Sequence, residues 1–261
     1  MTPLLASRHP SESSSCEQST LPELPSLHRS SRQPSEREIT PQLRKWSAYS
    51  DRFVETHIRR AANFYASELD VPSHFIQLLL LIEDKRFASH PGIDLISIMR
   101  ALISNSLGGD LQGASTITQQ LYDVLQAQQI DGYSRPRTIC RKLNQAVWSI
   151  RRERLSSKVE ILRDYLANVY WGRDYFGLES ASYGYFRSAK STLSPAKSFF
   201  LAERLASPNV NRRERVHTLL QRSAVRELLI TDGSVAELSG IYRQWEAQLD
   251  VIGHAARAVP K

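Results

Sequence analysis

No stretch of this chain approaches the roughly 20 apolar residues that a bilayer-spanning helix requires. The longest apolar run, Leu78 to Ile82, falls far short. The opening MTPLLASRHPSESSS has no basic start followed by an apolar core, so the sequence predicts no secretory signal. Cysteine is nearly absent. Cys16 and Cys140 give no metal-ligand spacing and no disulfide framework. Alternating strand patterns are also missing, which excludes a sheet-based fold. Acidic residues are in deficit, 27 against 34 Lys and Arg, leaving a net charge of +7. That balance favours an anionic partner: nucleic acid, phospholipid headgroups or a phosphate-bearing substrate. No nucleic-acid-binding motif accompanies it, so nucleic acid is not expected.

What is present reads as helix. Residues 1–42 are rich in Ser, Pro, Arg and Glu and bury too little to offset ordering entropy, so they are expected to be disordered. Apolar residues then recur at helical spacing from Phe53 to Tyr65. A second helix is predicted from about His74 to Arg86 with Ser73 as its N-cap, and a third from Asp94 to Gly108-Gly109. Ser157-Lys158-Val159-Glu160 has the form of a capping box. Ser194-Pro195 is an N-cap followed by proline at the first helical position. Ser234 to Glu237 opens a last helix. The expected fold is mainly α. A globular domain over 43–210 is followed by a helical C-terminal extension over 211–261.

Three segments carry chemistry. Glu83 ends an apolar helix, where partial desolvation raises a carboxylate toward acid–base use. A solvent-facing Glu closing a core helix is the plainer alternative. Gln112 to Leu121 is a run of small, hydroxyl and amide side chains between helices, able to donate to sugar or phosphate oxygens. Alone it also reads as a polar helix cap. Arg141-Lys142, Arg151-Arg152-Glu153-Arg154, Lys158 and Arg163 form a basic cluster with few acids, suited to a pyrophosphate or to solvent.

In this order the segments resemble the motifs of glycosyltransferase family 51, the peptidoglycan-polymerising module of class A penicillin-binding proteins and monofunctional transglycosylases. Glu83, Asp84, Phe87, His90, Gly92 and Asp94 match E-D-x-x-F-x-x-H-x-G-x-D. Gly113 to Gln120 matches G-[GA]-S-T-[IL]-[TS]-Q-Q without a gap. Arg141-Lys142 matches the start of R-K-x-x-E, and Ser157 to Leu162 the S-K-x-x-I-L stretch. Tyr165-Leu166, Gly172, Gly177, Ala181 and Tyr185-Phe186 follow the later motifs. The resemblance covers roughly residues 70–210.

It implies a lysozyme-like, two-lobed fold and an inverting reaction. The 4-hydroxyl of a lipid-linked disaccharide (lipid II) attacks the anomeric carbon of a growing glycan, and polyprenyl pyrophosphate leaves. Glu83 is implied as the general base, with position 145 the second catalytic site. Asp84, Phe87, His90, Ser115, Thr116, Gln119, Gln120, Arg141, Lys142, Arg154 and Lys158 are implied to bind substrate. The resemblance also implies a divalent cation, Mg2+ or Mn2+, and a place at the membrane surface of the cell envelope.

The chain departs from the pattern at the pyrophosphate side. The Glu of R-K-x-x-E is Gln145, which cannot transfer a proton and is a poor ligand for Mg2+. Asp123 stands where a Lys is usual, Ala167 where an Asn is usual, and Lys197 where an acid is usual. Weakened activity is one expectation. A lytic transglycosylase or muramidase using Glu83 alone is another, and a degenerate protein that binds lipid II or a partner is a third. Ser194-Pro195-Ala196-Lys197 fits the S-x-x-K of transpeptidases, but no K-[ST]-G follows, so no transpeptidase activity is expected.

Overall fold

The computed structural model describes the backbone of residues 36–106, 114–129, 138–210, 213–230 and 234–257. Side chains are described over 53–101, 114–129, 138–210, 213–230 and 234–245. The expected disorder of residues 1–35 and the helix stop at Gly108-Gly109 lie outside the described residues, as do Gln112 and Gly113. The compact unit is Lys45–Lys261; of the unit before it, Met1–Arg44, residues 36–44 are described.

The architecture is mainly α, as the resemblance implies. Among the described residues there is no strand, only a bridge between Tyr170 and Phe176. The helices are α1 (Glu36–Leu69), α2 (Ser73–Glu83), α3 (Leu95–Ser106), α4 (Ile117–Gln129), α5 (Ile139–Leu155) and α6 (Lys158–Asn168). They continue as α7 (Leu178–Phe186), α8 (Pro195–Arg204), α9 (Arg213–Leu220), α10 (Ser223–Leu229) and α11 (Ser234–Arg257). None described is long and apolar enough to cross a membrane. Because α1 begins at Glu36, residues 36–42 are helical where disorder was expected.

Helix α2 is the centre of the core. Phe75, Ile76, Leu78, Leu79, Leu80 and Leu81 are all buried, so the helix is apolar nearly all round. It packs on α8, itself buried at Phe199, Phe200, Leu201 and Ala202. Each fully buried Leu or Phe there contributes about 1.5–3 kcal/mol. The chain enters α2 through an extended Pro72 (φ −64°, ψ 142°), which makes Ser73 the first helical residue and not its cap. The helix stops at Glu83, short of the expected Arg86. Asp84 leaves helical geometry (φ −155°, ψ 80°) because its carboxylate is claimed elsewhere.

Local signals elsewhere read correctly. Ser157 caps α6 in a reciprocal capping box with Glu160. Ser194 caps α8 by accepting from the Lys197 backbone N–H, with Pro195 at the first position. That bond accounts for Ser194 without any transpeptidase role.

The helices after residue 210 are not appended. α10 packs on α2 and α8, and α11 packs on α8. Leu219, Val225, Leu229, Leu238 and Trp245 all belong to the main core. Arg204 is completely buried, ion-paired with Glu203 at 2.9 Å and stacked against Phe200, Tyr242 and Trp245. Such a charge is tolerable only because its partner is in place.

Candidate active site

Glu83 is the last residue of α2, with one tenth of its side chain exposed. Burial pushes its carboxyl above the usual carboxylate range, against the opposing pull of Gln120 and Arg215. Gln120 Nε2 donates to Glu83 Oε2 at 3.0 Å, and the Tyr165 hydroxyl donates to Gln120 Oε1 at 2.7 Å. On the other oxygen, the Arg215 guanidinium donates to Glu83 Oε1 at 3.1 Å. The carboxylate is therefore oriented from two sides, by α4 and by α9.

The residues after Glu83 build the loop that supports it. Asp84 Oδ2 accepts from the Ile117 backbone N–H at 2.9 Å, at the start of α4, where the helix dipole favours an anion. His90 Nδ1 accepts from the Gly92 N–H at 3.1 Å, so Nε2 carries the proton and donates to Asp84 Oδ2 at 2.9 Å. Gly92 has φ +96°, and a Cβ there would meet the Ser149 backbone at 2.6 Å, so only glycine fits. Asp84, Phe87 and His90 are buried. They lock this loop to α4.

The hydroxyl-rich run is half helix. Thr116 and Gln119 form a reciprocal cap at the start of α4. The Thr116 N–H donates to Gln119 Oε1 at 3.0 Å, and the Gln119 N–H to Thr116 Oγ1 at 3.2 Å. The Thr116 hydroxyl donates to Gly92 O at 2.7 Å. For these two buried residues the helix-cap reading holds. Ser115 and Gln120 are only partly buried, and Gln120 alone of the four reaches Glu83.

One turn further along α4 the site changes character. Gln145, on α5 and buried, donates from Nε2 to Asp123 Oδ2 and to Gln119 O, each at 2.8 Å. Arg141 donates to Asp123 Oδ1 at 2.7 Å. Lys142 Nζ donates to Gln145 Oε1 at 2.8 Å and to Ser115 Oγ at 3.1 Å. The two departures, Asp123 and Gln145, are thus direct partners. The carboxylate missing from α5 stands on the neighbouring helix.

The basic cluster is better supplied with acids than its sequence suggests. Lys158 donates to Glu153 Oε1 and to His90 O, both at 2.7 Å, and lies 4.6 Å over the Phe87 ring. Burial holds its ammonium below the usual lysine range, with Glu153 opposing. Arg152 pairs with Asp164. Arg154 is exposed and does not join the network. The divalent cation that the resemblance implies would find at this end one carboxylate, Asp123, and the amide oxygen of Gln145. Both Asp123 oxygens already accept N–H donors, and Gln145 Oε1 accepts from Lys142. Among the described residues no three His, Cys, Asp or Glu gather for a metal.

Sequence reasoning missed Arg215, Glu203 and Tyr165. Arg215 meets Glu83 across 132 positions and Glu203 lies within ion-pair range of Arg215, and no local motif marks either. Tyr165 was noted as a motif match, but not as the partner of Gln120.

The geometry is that of a mainly α domain presenting one desolvated carboxylate beside the capped start of a polar helix, consistent with a lysozyme-like transglycosylase domain. The sequence model of the transglycosylase family matches residues 51–229, and the chain belongs to that family of peptidoglycan glycosyltransferases. Its relatives include penicillin-binding protein 1A of Aquifex aeolicus, 40% identical over 124 residues, 47% of this chain and 16% of that protein. The protein of the same name from Mycobacterium tuberculosis is 35% identical over 140 residues, 53% of this chain and 17% of the relative. That of Rickettsia prowazekii is 32% identical over 173 residues, 64% and 21% respectively. The chain therefore spans only about a fifth of the length of these relatives. The match to 229 also takes α9 and α10 into the domain.

Proposed function

We propose that this chain polymerises lipid-linked disaccharide into glycan by inverting transfer, with release of polyprenyl pyrophosphate, at the membrane surface of the cell envelope. The observation that carries the reading is Glu83. It is a buried carboxylate of raised proton affinity, held by Gln120 and Arg215 with one tenth of its side chain open. In its ionised form it takes the proton of the attacking 4-hydroxyl. Raised basicity favours that transfer, and exclusion of water strengthens each surrounding contact.

The opposite end stabilises the leaving group. Arg141 and Lys142 are the cations available to a departing pyrophosphate, and stabilising charge where it develops is the larger task. Asp123 orders both: Arg141 directly, and Lys142 through Gln145. The cost is that Arg141 arrives already paired, so its pull on a phosphate is reduced and turnover is slow. No step is routed through a metal.

A binding role without turnover is the second reading, and the Arg141–Asp123 pair at 2.7 Å favours it. Polymerisation of labelled lipid-linked disaccharide by purified protein, beside Glu83→Gln, separates the two. Glycan from the wild type and none from Glu83→Gln supports the transferase. Binding of the disaccharide with no glycan from either protein removes it.

A further inference from the structure

Arg215 lies in the segment that sequence reasoning set outside the domain, yet it touches the carboxylate on which the proposed chemistry depends. Its Nη2 donates to Glu83 Oε1 at 3.1 Å, and its Nε stands 3.9 Å from Glu203 Oε1. The guanidinium thus hydrogen-bonds one carboxylate, at the end of α2, and lies within ion-pair range of a second on α8. Glu203 is 1% exposed and already engaged by Arg204 and the Tyr242 hydroxyl. Glu203 and Arg204 offset each other, which leaves the charge of Arg215 directed at Glu83.

We propose that Arg215 is the positioning residue of the acid–base carboxylate: it holds Glu83 ionised and aimed while leaving Oε2 to Gln120. The inference rests on the transferase reading for the role of Glu83, but its contact with Glu83 stands independently. A fixed guanidinium suits this task. Its planar fork places one nitrogen in hydrogen-bond contact with Glu83 while another stays within ion-pair range of Glu203.

Among the described residues, the charged and titratable groups facing Glu83 are few. Asp84 follows it on the chain and disfavours its ionised form, as does Glu203 from α8. Arg215 from α9 favours that form. Gln120 from α4 is neutral, and Tyr165 reaches Glu83 only through it. Arg222, before α10, donates to the Leu81 carbonyl and not to the carboxylate. Burial and two neighbouring anions thus push toward the protonated, inactive form. Arg215 is the cation in contact that opposes them. A Lys at 215 keeps the charge without the fork; a Met keeps the stem and removes both.

The experiment is a pH profile of glycan formation by the full chain as wild type, Arg215→Met and Arg215→Lys. The acid limb of kcat/KM is expected to move upward in Arg215→Met by about one pH unit or more, because an opposite charge in contact is worth that much to a carboxylate. Arg215→Lys is expected to restore most of the shift. An unmoved limb in Arg215→Met overturns the proposal even if the rate falls. Should the wild type make no glycan at any pH, the transferase reading fails, and the melting temperatures of the same proteins decide about Arg215. The deficit of Arg215→Met against wild type is then expected to be largest near pH 8 and to shrink toward pH 4.5, as Glu83 becomes protonated. A deficit that does not change with pH overturns the proposal.

Discussion

The site has two ends, one turn apart along α4, and they are built differently. At the start of α4, Glu83 keeps the family's carboxylate, and every contact around it serves to hold one group in a dry place: Gln120, Tyr165 and Arg215 for the carboxylate, and Asp84, His90 and Gly92 for the loop. One turn on, both departures from the family pattern meet: Asp123 on α4 supplies a carboxylate and Gln145 on α5 an amide donor to it. The first end could not change alone, because its geometry depends on a backbone N–H, a positive-φ glycine and a helix terminus that no substitution supplies. The second end is made of side chains meeting side chains, so a change in one can be answered by a change in its partner.

The largest effect that separates the ends is expected from truncation. Ending the chain at residue 210 removes Arg215 from the Glu83 end and strips Leu219, Val225, Leu229 and Trp245 from the core. Loss of several such side chains, at about 2–5 kcal/mol each, exceeds the stability of an ordinary domain. Circular dichroism should show no cooperative unfolding transition; a well-folded product would restore the reading of 211–261 as an appended tail.

Gln145→Glu alone should not repair the second end. It replaces the Nε2 donor with an oxygen 2.8 Å from Asp123, so two carboxylates meet where one had a donor. Like charges in contact raise a carboxylate's proton affinity in the fold. Stability is then retained at pH below the unfolded carboxylate value, about 4.3, and lost as pH rises through the raised folded one. Urea unfolding should show a loss of about 1–3 kcal/mol at pH 7 that narrows by pH 5.

At the first end the sign is the same, with a smaller size. Burial raises the Glu83 carboxyl, so the fold favours its protonated form. Its ionisation costs stability that is intact below about 4.5 and is lost as pH rises through the raised value. The melting temperature of Glu83→Gln relative to wild type should therefore climb between pH 4.5 and 8. A difference independent of pH would mean that Glu83 is solvated. Smallest of all, Thr116→Ala removes the α4 cap and the bond to Gly92 O. A loss of about 1–2 kcal/mol is expected by denaturant titration, with the Glu83 end more disturbed than the Asp123 end.

Much of this was legible in the sequence. Caps declare themselves by spacing, so the starts of α6 and α8 were readable from Ser157-x-x-Glu160 and Ser194-Pro195. Glu83 stood out as a charge closing an apolar helix. Thr116-x-x-Gln119 carries the same capping signature, which agrees with the polar-cap reading of that run. What could not be read was contact across the fold. Arg215 meets Glu83 over 132 positions, through the docking of α9, and no periodicity encodes that. Asp123 read as an anion misplaced beside a phosphate, because its partner lay on another helix. The end of α2 at Glu83 was hidden too: it depends on the Ile117 N–H, 33 positions away.

The most direct test of the account is to move the carboxylate back. Asp123→Asn and the exchange Asp123→Asn/Gln145→Glu would be compared with wild type for glycan formation from labelled lipid-linked disaccharide. Asp123→Asn is expected to lower the rate, because Arg141 and Lys142 lose the carboxylate that orders them. The exchange should recover most of it, with an amide donor again facing a carboxylate. Equal rates for wild type and Asp123→Asn, or no recovery in a stably folded exchange variant, would contradict it.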